Sequence, residues 1–155
     1  MVGLAQQSDS LYNISIPDYA LKNMEGELVH SSTISNVGHP LVICFWKTCC
    51  KTPNKLLSAI NENYEEWEEE TGVKFIIISV DDSRSSAGVK SFVNTQGWEF
   101  EVLLDENSDL KRAMNVNIIP HLFLYDGKGN LFWQKQSFIE GDEYEIYEKI
   151  LETIK

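Results

Sequence analysis

Three residues of this chain can act as thiols: Cys44, Cys49 and Cys50. Two of them are neighbours, within the stretch Lys47-Thr48-Cys49-Cys50-Lys51-Thr52-Pro53-Asn54-Lys55. Thiol-disulfide exchange needs one thiolate to attack and a second to resolve the mixed disulfide. Paired redox thiols are usually separated by two residues, and that spacing from Cys50 falls on Pro53. Proline has no sulfur, so resolution from that position is excluded. Cys50 keeps features that favour a thiolate. It is expected at the N-terminal end of a helix, where unpaired N–H groups present partial positive charge. Lys47, Lys51 and Lys55 add positive charge around it. Cys49 has two readings: it resolves Cys50 through a strained disulfide between neighbours, or it is a small residue filling space. Cys44 sits in an apolar run and reads as a buried, inert thiol. Together with the three histidines, the cysteines match no zinc spacing and no disulfide framework. No metal and no cofactor is expected.

Buried strands and one long helix must position these residues. Leu41–Trp46 and Val73–Val80 are apolar runs, as in parallel strands covered on both faces. Between them Leu57, Ile60, Tyr64 and Trp67 recur at helical spacing, with the acidic run Glu65–Glu70 on the outer face. Thr52 is the expected cap, Pro53 the first helical residue and Gly72 the stop. A second helix is expected from about Ser85, with Val89, Phe92 and Val93 inward. A shorter strand over Trp98–Leu104 and one or two helical turns over Ser108–Met114 follow. The turn Asp126–Asn130 joins two strands as a hairpin. Asp142 and Glu145 form a capping box for a last helix with Ile146, Tyr147, Ile150, Leu151 and Ile154 inward. An N-terminal hairpin turns at Glu25-Gly26. These elements predict about four main strands with helices on both faces.

At 155 residues the chain reads as one domain, 1–155, with 1–12 as a flexible N-terminus. Hydrophobic residues make up 43% and charged residues 24%, the balance of a globular protein. A net charge of -11 argues against nucleic acid and anionic membrane as partners. No run is long enough to span a bilayer, and no export signal is seen.

The element order, with a cysteine between the first buried strand and its helix, resembles the thioredoxin-like fold. The TlpA/ResA type, which shades into the AhpC/TSA redoxin group, is the most similar pattern. The resemblance runs from about Asp18 to the C-terminus. It rests on the lead-in Pro17–Thr48, on Ser79-Val80-Asp81-Asp82, on Val102–Pro120 and on Leu124–Leu131. It implies a three-layer α/β/α sandwich with a mixed central sheet and an N-terminal β-hairpin. It also implies a cis peptide at Ile119-Pro120 facing the reactive cysteine. The family pattern Phe-Trp-x-Thr-Trp-Cys-x-x-Cys places Cys49 at the Trp, Cys50 at the nucleophile and Pro53 at the resolving cysteine. His121 follows the proline where Thr is common.

By this resemblance the chain is a redox-family protein of the bacterial cell envelope, its export signal lying outside these 155 residues. Cys50 would act as a monothiol, with Cys49 beside it, on a thiol- or disulfide-containing protein or a small thiol. The alternative is a non-catalytic binding module that holds a peptide or protein partner at the cis-proline groove of Trp46, Ile119, Pro120 and His121. Peroxidase chemistry is not expected, because Lys47 stands where the peroxiredoxin pattern has Thr.

Overall fold

The computed structural model describes residues 12–49, 51–139 and 141–155 and, at Lys51 and Thr52, the backbone alone. In chain order the strands are β1 (Ala20–Asn23), β2 (Leu28–His30), β3 (Leu41–Trp46), β4 (Lys74–Ser79), β5 (Glu101–Leu104), β6 (His121–Tyr125) and β7 (Leu131–Gln136). The helices are α1 (Lys51–Thr71), α2 (Val89–Gln96), α3 (Asp109–Ala113) and α4 (Asp142–Thr153).

The two apolar runs form the middle of the sheet, as their lack of polar alternation requires. Among the described residues the sheet order is β2-β1-β5-β4-β3-β6-β7. β3 and β4 pair in parallel from Leu41 opposite Lys74 to Trp46 opposite Ser79. β5 continues the parallel part, whereas β1, β6 and β7 join antiparallel. The sheet is therefore mixed, and wider than four strands because the N-terminal hairpin extends one side and the β6–β7 hairpin the other. The hairpins at Gly26 and Gly129 lie where the turn residues placed them. Gly129 has φ 89°, and a Cβ there would approach the Asn13 backbone to 2.9 Å.

Alternate side chains of each central strand enter two cores. Val42, Cys44, Trp46, Phe75 and Ile77 face α1, α2 and α4. Leu41, Ile43, Phe45, Ile76 and Ile78 face Ile14, Ile34, Leu110 and Val116. α1 buries Leu56, Leu57, Ile60, Tyr64 and Trp67. Burying each such side chain contributes about 1.5–3 kcal/mol, so this face anchors the helix. Its end is set by Gly72 (φ 75°), whose N–H donates to the Glu68 carbonyl at 2.8 Å.

Three local expectations are corrected. α1 starts at Lys51, so Pro53 is its third residue rather than its first. The amides of the whole first turn lack intrahelical acceptors, so a proline is tolerated at either position. Asp142 and Glu145 make no capping box: the N-cap is Gly141 (φ 98°), with no side-chain cap bond. The Asp142 carboxylate accepts the Ile139 N–H at 2.7 Å and lies 3.5 Å from the Lys135 ammonium. Glu145 meets the same ammonium at 2.5 Å, so the lysine of β7 draws both carboxylates away from the helix end. Ile154 is 47% exposed and does not join Ile146 and Ile150 in the core. Of the N-terminal stretch 1–12, only Tyr12 lies within the described residues; its hydroxyl oxygen accepts the Asn36 N–H at 2.9 Å. Among the described residues, no helix is long and apolar enough to cross a membrane.

Candidate functional site

The turn between β3 and α1 is tied down on both sides. β3 ends at Trp46, which has no exposed surface and packs edge-on against Trp98, ring centroids 5.6 Å apart. Its indole N–H donates to the Asn54 side-chain oxygen at 2.8 Å, and the Asn54 amide donates to the Thr48 carbonyl at 2.9 Å. From the other side, the Thr48 hydroxyl donates to Asp81 Oδ1 at 2.9 Å and the Thr48 N–H to Asp81 Oδ2 at 3.2 Å. Asp81 is 2% exposed, just beyond the C-terminal end of β4. A buried carboxylate needs donors to replace lost water. The Ser79 hydroxyl supplies another at 2.6 Å, and Ser79 Oγ accepts the Asp81 N–H at 3.1 Å. Val80 N–H donates to the Trp46 carbonyl at 2.9 Å, so the β3–β4 ladder runs up to this cluster.

Cys49 follows this tied residue and is exposed. Cys50, the expected nucleophile, lies outside the described residues. Lys51 opens α1, and Pro53 is buried in its first turn. Residues 28–61 contain no Asp or Glu, and Lys47 and Lys55 are exposed, whereas the Asp81 carboxylate bonded to Thr48 is the acidic group next to the turn. The N-terminus of the 21-residue α1 adds partial positive charge. Cys44 is different. It is fully buried, and burial pushes its thiol up to about 12. Among the described residues, no group of three or more His, Cys, Asp or Glu could hold a metal ion.

The Ile119–Pro120 peptide is cis, as the family resemblance implied. Pro120 is buried at the start of β6, and its carbonyl accepts the Ser137 N–H at 3.2 Å. Ile119 is half-buried against the second core, and Ile118 before it is 51% exposed. His121 is 7% exposed and pairs with Phe45 across the β3–β6 ladder. Its ring stacks on Phe123 at 4.3 Å, and its Nε2 meets the Gln134 side-chain oxygen at 2.8 Å. That places the imidazole on the sheet face away from α1. Trp46 and His121 thus lie beneath the surface, whereas Cys49, Ile118 and part of Ile119 are accessible.

The site thus joins the turn between β3 and α1 to a cis-proline at the head of β6. The model of the AhpC/TSA family matches residues 13–134. The chain belongs to the AhpC/TSA family. A solved thioredoxin-like protein of Porphyromonas gingivalis, described as uncharacterized, is 41% identical, with a TM-score of 0.82 over 92% of this chain and 94% of that one. A thiol-disulfide oxidoreductase ResA of Bacillus thuringiensis (strain Al Hakam) is 30% identical over 118 residues, 76% of this chain. The chain spans 65% of the length of that relative. A putative thiol:disulfide interchange protein DsbE of Chlorobium tepidum shares the fold, with a TM-score of 0.77 at 22% identity, over 93% of this chain and 98% of that one. This AhpC/TSA chain is thus a thioredoxin-like redox-family protein.

Sequence reasoning missed Asn54, Ser79 and Asp81 as parts of the site. The available signal was the Ser79-Val80-Asp81-Asp82 stretch, which puts a carboxylate just after the apolar run Phe75–Ile78 and its terminal Ser79.

Proposed function

We propose that this protein carries out thiol-disulfide exchange through Cys50 as a single nucleophile. The observation that carries the reading is the cysteine pair leading directly into the N-terminus of α1, with a buried, sulfur-free Pro53 in that helix's first turn. The relatives named thiol-disulfide oxidoreductases supply the reaction class. The Cys50 thiolate attacks one sulfur of a disulfide RS–SR. A Cys50–SR bond forms, RS⁻ leaves, the Cys50 sulfur is oxidised and the departing sulfur is reduced. An external thiolate R′S⁻ then attacks the SR sulfur, giving RS–SR′ and returning the Cys50 thiolate. Cys49 lies beside this centre. The partner is a thiol- or disulfide-containing protein or a small thiol. Residues 1–155 act as one domain, in the bacterial cell envelope.

A second reading is a binding module without catalysis. Pro53 in the resolving position favours it, and the accessible Ile118 and half-buried Ile119 beside Pro120 would meet the partner. The test is incubation with a small disulfide, followed by intact mass and peptide mapping. Exchange gives an adduct on Cys50 that an external thiol releases, together with negligible insulin reduction by the protein. No adduct on Cys50 under conditions that modify a free thiol would leave the binding module.

A further inference from the structure

All three polar groups of Thr48 are engaged: its hydroxyl and N–H by Asp81, and its carbonyl by Asn54. The partners come from different elements. Asp81 follows β4, Asn54 belongs to α1, and Asn54 is itself held by Trp46 at the end of β3. Only Cys49 and Cys50 separate Thr48 from the first residue of α1. Asp81 is nearly inaccessible, and three donor groups converge on its two oxygens. An apolar residue would have suited a core position of this size better, because a buried carboxylate is costly even when bonded. Its acceptors, however, reach the one turn that carries the thiols.

We infer that Asp81 is a positioning residue for the cysteine pair: through Thr48 it fixes the backbone that leads into Cys49 and Cys50. This rests on the monothiol reading for its use in exchange, but the geometric constraint is separately measurable. Asp81 acts through Thr48 and Ser79 and needs no contact with substrate. Charge-assisted bonds to a buried carboxylate are strong and directional, so they hold a backbone more firmly than a neutral pair would. A thiol's reactivity depends on its place relative to a helix N-terminus, so a change in the backbone at Thr48 should register in the reactivity of Cys50.

The experiment is the pH–rate profile of Cys50 alkylation by iodoacetamide, resolved by peptide mass, in the full chain and its variants. Thr48→Val keeps the shape of the side chain and removes the hydroxyl bond. It is expected to move the Cys50 profile toward that of a free thiol and to slow labelling about tenfold near pH 7, as a tenfold smaller thiolate fraction requires. Thr48→Ser retains both bonds to Asp81 and should stay within about twofold of the parent. Asp81→Asn changes the bond to the Thr48 N–H and also removes a negative charge near the thiols, so Thr48→Val, which leaves that charge in place, carries the test. A Thr48→Val profile identical to the parent would overturn the positioning role, as would a Thr48→Ser variant as impaired as Thr48→Val. Alkylation reports on the turn even in a protein that fails to form mixed disulfides. An unchanged profile and an absent adduct are therefore separate failures, the first of this inference and the second of the exchange reaction.

Discussion

Replacing Pro53 with cysteine tests whether position 53 is where a second sulfur belongs. Pro53 is the third residue of α1 and is buried. Its amide position is in the first turn, so the substitution removes no helical hydrogen bond. Losing roughly one methylene of buried volume costs about 1 kcal/mol, and freeing the unfolded chain from the proline ring costs about 0.5–1 kcal/mol more. The reduced variant should therefore be less stable than the parent by about 1.5–2 kcal/mol. A disulfide from Cys50 to the new cysteine closes a loop of four residues. The chain-entropy relation gives about 2 kcal/mol for that loop at 25 °C. The oxidised variant should return close to the parent, and its urea midpoint should exceed that of the reduced form by about 1 M for a slope of about 2 kcal/mol/M. Urea unfolding of both redox forms reads the gap, and insulin reduction with dithiothreitol reads the gain of dithiol turnover. If the two forms unfold together and insulin reduction stays at the parental level, position 53 does not face Cys50, and the reading of the lost resolving sulfur is wrong.

Three further outcomes are expected. Cys44, with its thiol pushed up to about 12, should carry about one part in 10⁴ of thiolate at pH 8; it should label only when the protein unfolds, which peptide mapping of native and denatured samples will show. Asn54→Leu removes the bridge between the Trp46 indole and the Thr48 carbonyl, and should destabilise the protein by about 1–3 kcal/mol through the unpaired groups it leaves, read by urea unfolding. Burial raises the Asp105 carboxyl above its ordinary value, partly offset by the N–H groups of Lys111 and Leu110. A raised carboxyl binds its proton more tightly in the folded state, so its penalty is present at neutral pH and is relieved as pH falls through the folded value. Relative to the parent, Asp105→Asn should therefore be most favourable near pH 7 and lose that advantage toward pH 4, and a difference that grows on acidification would contradict the assignment.

Much of the frame was legible because it is local. The unbroken apolar runs of β3 and β4 leave no polar face to expose, so they fall in the centre of the sheet. Tyr64 and Trp67 continue the stripe of Leu57 and Ile60, and all four are buried. Helix ends were less legible. A proline in the first turn is compatible with several starts, so Pro53 fixed that of α1 only to within a turn. At α4 the expected cap was lost to a lysine on a neighbouring strand, which no local pattern encodes. The site divided along the same line. The cysteine pair could be read from the residues themselves, and the cis-proline was implied by the family resemblance. The tie between Thr48 and Asp81 spans 33 residues, and His121 is turned away from α1 by strand register, so neither could be read from neighbouring residues.

The central claim is that Cys50 is the working nucleophile. Limited alkylation of the folded protein at graded pH, resolved for Cys44, Cys49 and Cys50 by peptide mass, tests it most directly. Cys50 is expected to label first and to half-titrate below about 8.5, the value of a free thiol, with labelling slowed by added salt as the lysine charges are screened. Labelling of Cys50 no faster than in an unfolded control would contradict the monothiol mechanism and leave the chain as a thioredoxin-like binding module.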